Sequence, residues 1–259
     1  MNVTIFPLGA GQQVGRSCIF LKYPQGPSVL LDIGLHMGRK NAQQWPNLDL
    51  LLKKYNTEDI NKIIDIVLIS HFHLDHCGAL PLLIIKYNYR GIVLTSHPSR
   101  CIIPYMLFDF QKVSKNNKYK YRPNQIWQCV KSLKSIDLRE SFVHKNMRVT
   151  AFYAGHVLGA VMFCVEFKGV KVVYTGDFSS VADRHLKGAQ IDPIRPQILI
   201  SESTYGIINR MWKKSREIMF MKNIEKTFKR GGKVLIPVFS LGRAQEMFAL
   251  IEDIWAKHG

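Results

Sequence analysis

Carboxylates are scarce in this 259-residue chain, where 19 Asp+Glu stand against 36 Lys+Arg for a formal net charge of +17. Such a balance speaks to partners rather than to fold, and phosphate-rich ligands are the first candidates, although a lysine-rich coding bias would produce part of it. Cysteine is sparse and unpaired in pattern. The five (Cys18, Cys77, Cys101, Cys129 and Cys164) are odd in number and include no CxxC pair. That argues against a disulfide framework and a Cys-rich zinc module, and favours a reducing compartment. Long apolar runs are missing too: the stretches at 63–69 and 79–85 fall far short of the ~20 residues a membrane span needs, so no membrane partner is expected. The opening MNVTIFPLGAG has neither a charged n-region nor an extended apolar core, so a secretory signal is not expected. Internal repeats and low-complexity tracts are absent. What remains is ordinary globular composition, 47% hydrophobic and 11% aromatic, which excludes disorder, collagen and coiled coil.

Short apolar or alternating runs recur between glycine and polar punctuation. VTIFPL, SCIFLKY, SVLLDIG, IIDIVLIS, GIVLTS, MRVTAFYA, VMFCVEFKG, VKVVYTGD and QILISES all read as strands. Helical spacing is predicted over about 77–88, 99–113, 123–134, 215–230 and 242–257. Glycine-separated hairpins mixed with helices indicate a layered αββα plan rather than a doubly wound sheet. Near Tyr205 the character shifts: residues 207–233 carry nine basic residues and two acids, followed by GGKVLIPVFSLGRAQE, read as a new strand-and-helix pair. Two domains are therefore expected, 1–205 and 206–259.

The sharpest chemical signal is His71-Phe72-His73-Leu74-Asp75-His76, after an apolar strand and before CGALP, which reads as the opening of a helix. Alternate residues of an extended loop point the same way, so His71 and His73 can share one ion while Asp75 and His76 face a neighbouring one. Imidazole and carboxylate are the ligands of zinc-class metals, and a mixed N/O set leaves a position open for water. Three of nine histidines within six residues, interleaved with an aspartate, are poorly explained by chance. Ala154-Gly155-His156 and Thr175-Gly176-Asp177 each close a strand with a glycine turn. Alone, His156 reads as an interior histidine and Asp177 as a turn residue; beside the cluster both become ligand candidates, with Asp177 able to bridge two ions.

Taken together, PLGAGQQVGRSC, LDIGLHMG, SHFHLDHCGALP, YAGHVLGA, YTGDFSSVADRHL, ESTYG and GGKVLIPVFSLGRAQE resemble the metallo-β-lactamase superfamily and, within it, the RNA endonucleases with an inserted β-CASP domain. Both the Integrator type and the polyadenylation type of that family match these motifs. The resemblance implies an α/β (α+β sandwich) metallo-β-lactamase αββα fold with the beginning of a β-CASP domain, and two Zn2+ ions. His71, His73 and His156 would hold one, Asp75 and His76 the other, and Asp177 would bridge them. It implies that Asp32, which otherwise reads as a turn aspartate before glycine, sits beside the site and orients a water or a ligand imidazole. Glu202 would support a general-acid histidine, against the plainer reading of a surface glutamate. It places that histidine and a further ligand of the second ion beyond residue 259, so this stretch alone is expected to be weak or inactive. The implied activity is RNA 3′-end processing by zinc-bound hydroxide, in the nucleus, with RNA and other subunits of a processing complex as partners, including a related β-CASP subunit. A scaffold subunit of such a complex and a small-molecule hydrolase on the same fold stand as alternatives.

Gly9–Gly15 superficially resembles a dinucleotide fingerprint, but the following SCIFLKY is strand-like, so a hairpin connection is expected. Ser70 and Cys77 flank the cluster without a partner base and read as structural. Between Asp109 and Asp137 no acid intervenes, while lysines and Arg122 alternate with Tyr119, Tyr121 and Trp127. Lys118, Lys120 and Arg122 are candidate RNA contacts, and a solvated lysine-rich loop is the competing reading.

Overall fold

The computed structural model describes residues 2–113 and 121–258, so the candidates Lys118 and Lys120 lie outside the described residues. Two compact units form, residues 1–202 and 203–259.

The first unit is a two-sheet sandwich. Strands β1 (Thr4–Gly9), β2 (Cys18–Lys22), β3 (Ser28–Leu31), β4 (Ile66–Leu68), β5 (Ile92–Ser96) and β6 (Leu133–Ile136) form one sheet in sequential order. β1 to β3 pair antiparallel, whereas β3 to β6 are parallel. The inner parallel strands β3, β4 and β5 are buried on both faces, in keeping with the apolar runs VLL and IVL. The second sheet runs β11-β10-β9-β8-β7. It consists of β7 (Ser141–His144), β8 (Met147–Tyr153), β9 (Val161–Phe167), β10 (Val170–Tyr174) and β11 (Ile198–Ile200). Between the sheets Leu21, Val29, Leu31, Ile66, Leu68 and Leu94 meet Val149, Ala151, Phe163, Val165 and Val172, all essentially without solvent exposure. Full burial of such side chains is worth roughly 1.5–3 kcal/mol each, so this layer dominates the stability of the unit.

Helices α1 (Asp49–Lys54), α2 (Leu74–Cys77), α3 (His97–Val113) and α4 (Pro123–Ser132) belong to this unit, with α3 packed on α2, α4, β5 and β6. α4 begins at Pro123, whose fixed φ and missing N–H suit a first helical position, and Gln125 accepts a hydrogen bond from the Arg122 backbone N–H.

Several expectations need correction. The helix expected at 77–88 is two pieces: α2 starts earlier, at Leu74, and a π-helical turn follows at Leu82–Lys86. β6 and β7 (LKSI and SFVH) are too short and too polar on one face to stand out as strands, and the tail of the helix expected at 123–134 is β6.

In the second unit, α5 is Lys213–Phe228 and α6 is Arg243–His258, joined by the Lys213–Glu246 ion pair at 3.0 Å. The expected strand in KVLIPVF does not form: among the described residues it has no hydrogen-bonded neighbour, and Leu235 and Phe239 are exposed. A strand is stabilised by its ladder, so an apolar run without a partner stays irregular. Among the described residues no helix is long and apolar enough to cross a membrane.

Candidate metal centre

Loops leaving β3, β4, β8 and β10 meet at one end of the sandwich and carry every candidate metal ligand. Parallel pairing sets Leu31 beside Leu68, and the next backbone N–H, that of Asp32, donates to the Leu68 carbonyl at 2.8 Å. Across the sandwich the Val161 N–H donates to the Ser70 carbonyl at 3.0 Å, fixing the cluster-bearing loop to the second sheet. Two glycines permit this convergence. A Cβ on Gly34 would lie 1.6 Å from the Asp75 carbonyl oxygen, and one on Gly176 (φ +53°) would lie 2.6 Å from the Ser70 Cβ. The backbone N–H groups of Ile33 and Leu35 donate to the His76 and Leu74 carbonyls at 2.8 and 2.9 Å, so loop 32–36 and the HxHxDH turn are stitched together.

Four side chains converge most tightly. One donor atom from each of His71, His73, His156 and Asp177 lies within 4.8 Å of all the others. His71 Nε2 is 2.9 Å from His73 Nδ1, and His156 Nε2 is 3.2 Å from the same nitrogen. His156 Nε2 also lies 3.6 Å from Asp177 Oδ2. A second grouping adjoins the first: His76 Nε2 is 3.3 Å from Asp177 Oδ1 and 3.8 Å from Asp75 Oδ2. The structure thus brings together all six residues singled out as ligands, with Asp177 presenting one carboxylate oxygen to each grouping.

The donors suit a cation in both geometry and charge. Tetrahedral zinc with ~2.0–2.1 Å bonds to nitrogen sets ligand nitrogens about 3.3 Å apart, close to the spacings seen. Three ring nitrogens aimed at one point cannot all carry protons. Burial, then the neighbouring His76, His73 and His156, hold the His71 imidazole well below the usual histidine range. Burial and then His156 bring His73 down to about 4, against the opposing pull of Asp75 and Asp177. Both rings are therefore neutral at physiological pH, the form that ligates. His76 behaves differently: burial pulls it down, but Asp32 and Asp177 outweigh that and raise it. Asp177 is pushed up by burial and pulled lower still by His76, His156 and His73, so it remains an anion.

Behind the ligands sits a buried network centred on Asp32, which has no solvent exposure and a left-handed backbone (φ 58°). Asp32 Oδ1 accepts from the Ser70 N–H at 2.6 Å. Its Oδ2 accepts from the Ser70 hydroxyl at 2.7 Å, the Tyr174 hydroxyl at 2.6 Å and His76 Nδ1 at 2.7 Å. Burial and then the charge of Asp32 push the Tyr174 phenol well up, which keeps its proton in place to donate. His76, its pKa raised, carries a proton on each ring nitrogen; a carboxylate only accepts, so Asp32 holds the proton on Nδ1, and Nε2, facing Asp177, is the nitrogen that gives up its proton to ligate. The Ser70 hydroxyl spends its proton on Asp32 and accepts from His71 Nδ1 at 3.0 Å. That fixes the His71 tautomer with a bare Nε2 toward His73. Asp32 thus stands behind the ligands, orienting imidazoles, and not on the open face.

Glu202 follows β11. Its Oε1 accepts from the Phe178 N–H at 3.0 Å, and its own N–H reaches Thr175 Oγ1 at 3.3 Å. The carboxylate therefore braces the loop carrying Asp177. Ser70 and Tyr174 are the residues that sequence reading missed as parts of the site. Ser70 reads as structural from its sequence setting, and Tyr174 lies 142 positions from Asp32 in the chain. Cys77, buried and bonded through its thiol to the Phe72 carbonyl at 3.2 Å, keeps the structural part expected of it. Arg122 is an exposed residue at the start of α4.

Comparison with known proteins follows the same lines. Residues 21–200 match the family described as "Metallo-beta-lactamase superfamily domain". Integrator complex subunit 11 of Danio rerio is 42% identical over 260 residues, which cover 99% of this chain and 43% of that protein. Cleavage and polyadenylation specificity factor 73 of Drosophila melanogaster is 40% identical over 256 residues, 98% of this chain and 36% of that protein. The chain thus spans well under half the length of these relatives. Among solved structures, a metallo-beta-lactamase from Cronobacter sakazakii aligns over 98% of this chain and 94% of its own, with 16% identity and a TM-score of 0.49.

Proposed function

Because this chain belongs to the metallo-beta-lactamase superfamily, we propose that its clustered histidines and aspartates hold two zinc ions and that the full-length protein is an RNA endonuclease acting in RNA 3′-end processing. The observation that carries the reading is the pair of adjoining donor groupings joined by Asp177. His71, His73 and His156 serve one ion, Asp75 and His76 the other. Bound there, the metal would supply Lewis acidity, lowering the pKa of water and neutralising phosphate oxygens. The protein's own part is orientation: Asp32, Ser70 and Tyr174 hold the His71 and His76 tautomers, and Glu202 fixes the Asp177 loop.

The choice of RNA over a small molecule rests on similarity to proteins named as subunits of the Integrator complex and of the cleavage and polyadenylation specificity factor, and on the +17 charge. By the same similarity we assign nuclear location, other processing-complex subunits as partners, and residues 206–259 as the beginning of a β-CASP domain. A scaffold role is disfavoured by the intact ligand set, since all six positions carry ligating side chains. Cleavage of single-stranded RNA by the full-length protein, compared with His73→Ala and Asp75→Ala, tests the reading. Both variants should be soluble and inactive; cleavage retained in either overturns the metal assignment.

A further inference from the structure

α3 starts beside the loop that carries His156, where the Ser99 hydroxyl donates to the Gly159 carbonyl at 3.1 Å. Nine residues after Ser99, about 14 Å along the helix at 1.5 Å per residue, Phe108 meets Trp127 of α4 with ring centroids 5.6 Å apart at 60°. Trp127 is 51% exposed and Tyr105, one turn before Phe108 on the same helical face, is 72% exposed. The core contacts of α4 are made by Ile126 and Cys129, so the indole is not needed for packing. Cations lie beside these rings: Lys112 and Lys131 follow Phe108 and Trp127 by one helical turn, Arg122 starts α4, all three are exposed, and α4 has no acidic residue. Among the described residues none of these three forms an ion pair. A docking patch for an apolar protein surface would not need unpaired cations on its rim, whereas base stacking beside phosphate contacts needs both.

We propose that Trp127, with Phe108 behind it and Tyr105 beside it, is a stacking platform for single-stranded RNA outside the metal centre. Lys112, Arg122 and Lys131 would contact phosphates. The platform would hold a flanking stretch of substrate along α3, at a distance from the cleaved bond. It rests on the reading above that the substrate is RNA.

The test is fluorescence anisotropy of a labelled 20-nucleotide oligouridine with the full-length protein, in chelator to prevent cleavage. Trp127→Ala should weaken binding about fivefold to a hundredfold, and Trp127→Phe should recover most of it. Lys112→Ala with Lys131→Ala should lower the slope of log K against log salt by about 1.4, two phosphates at ~0.7 each. Should Trp127→Ala prove unstable, photocrosslinking of 4-thiouridine RNA to the unaltered protein should map to the peptide containing Trp127. If the unaltered protein binds the RNA while every variant binds equally, or crosslinks fall elsewhere, the platform is refuted, the RNA reading stands, and the patch belongs to a protein partner. If the unaltered protein binds no RNA, both readings fail.

Discussion

Replacing Asp32 by Asn keeps the size of the side chain and inverts its hydrogen bonding. Asn accepts left-handed backbone readily, so the φ of 58° at this position adds no new strain. With the amide oxygen facing the Ser70 N–H, the NH2 group faces the Ser70 hydroxyl, the Tyr174 hydroxyl and His76 Nδ1. The hydroxyls can rotate and accept instead. His76 can accommodate the NH2 group only by accepting at Nδ1, which moves its proton to Nε2, the nitrogen that points at Asp177. A ring protonated there is no ligand. Loss of such an orienting carboxylate costs ten- to a hundredfold in metal affinity, about 1.4–2.7 kcal/mol at 1.36 kcal/mol per decade. The loss should concentrate on the ion served by Asp75 and His76, because the His71 tautomer is reached only through the Ser70 hydroxyl. Zinc competition against a chromophoric chelator, on full-length protein whose melting is followed by circular dichroism, reads both sites. Unchanged affinity at both, in a folded Asp32→Asn protein, would refute the tautomer argument.

Three further outcomes are expected. Tyr174→Phe removes one charged hydrogen bond to Asp32 with little change in volume, and urea unfolding of metal-free protein should show about 1.5–3 kcal/mol of lost stability. Gly176→Ala places a methyl 2.6 Å from the Ser70 Cβ at a φ of +53°, so it should both lower the melting temperature and reduce bound metal; a fully stable, fully loaded variant contradicts the packing described. Burial pushes the Asp65 carboxyl up, but hydrogen bonds from Lys145 and Ser28 prevail and hold it below the usual aspartate range. Its folded pKa is thus depressed, and its stabilisation is present above about pH 4 and lost as pH falls below that. Unfolding midpoints measured from pH 6 down to pH 3 should fall less steeply in Asp65→Asn than in the unaltered protein.

The candidate ligands were legible because they are local: four of the six fall within HFHLDH, and the other two end strands whose apolar patterning is plain. The sandwich was legible for the same reason, nine of its strands being short apolar or alternating runs bounded by turns. Three features were not. LKSI and SFVH take their strand character from pairing with GIVLTS and MRVTAFY, not from their own composition. KVLIPVF has the composition of a strand and lacks the ladder that would make it one. Tyr174 is one of many tyrosines until the two sheets close and set its hydroxyl against a carboxylate 142 positions away. Local chemistry is written in neighbouring letters, whereas the groups that orient it are defined only by tertiary contact.

Zinc content is the most direct check on the central claim. Elemental mass spectrometry of the purified full-length protein should find about two zinc ions per chain, and His71→Ala with Asp177→Ala should remove nearly all of it from a protein that still folds. Equal zinc in the two proteins would mean that the cluster described here is not where metal binds.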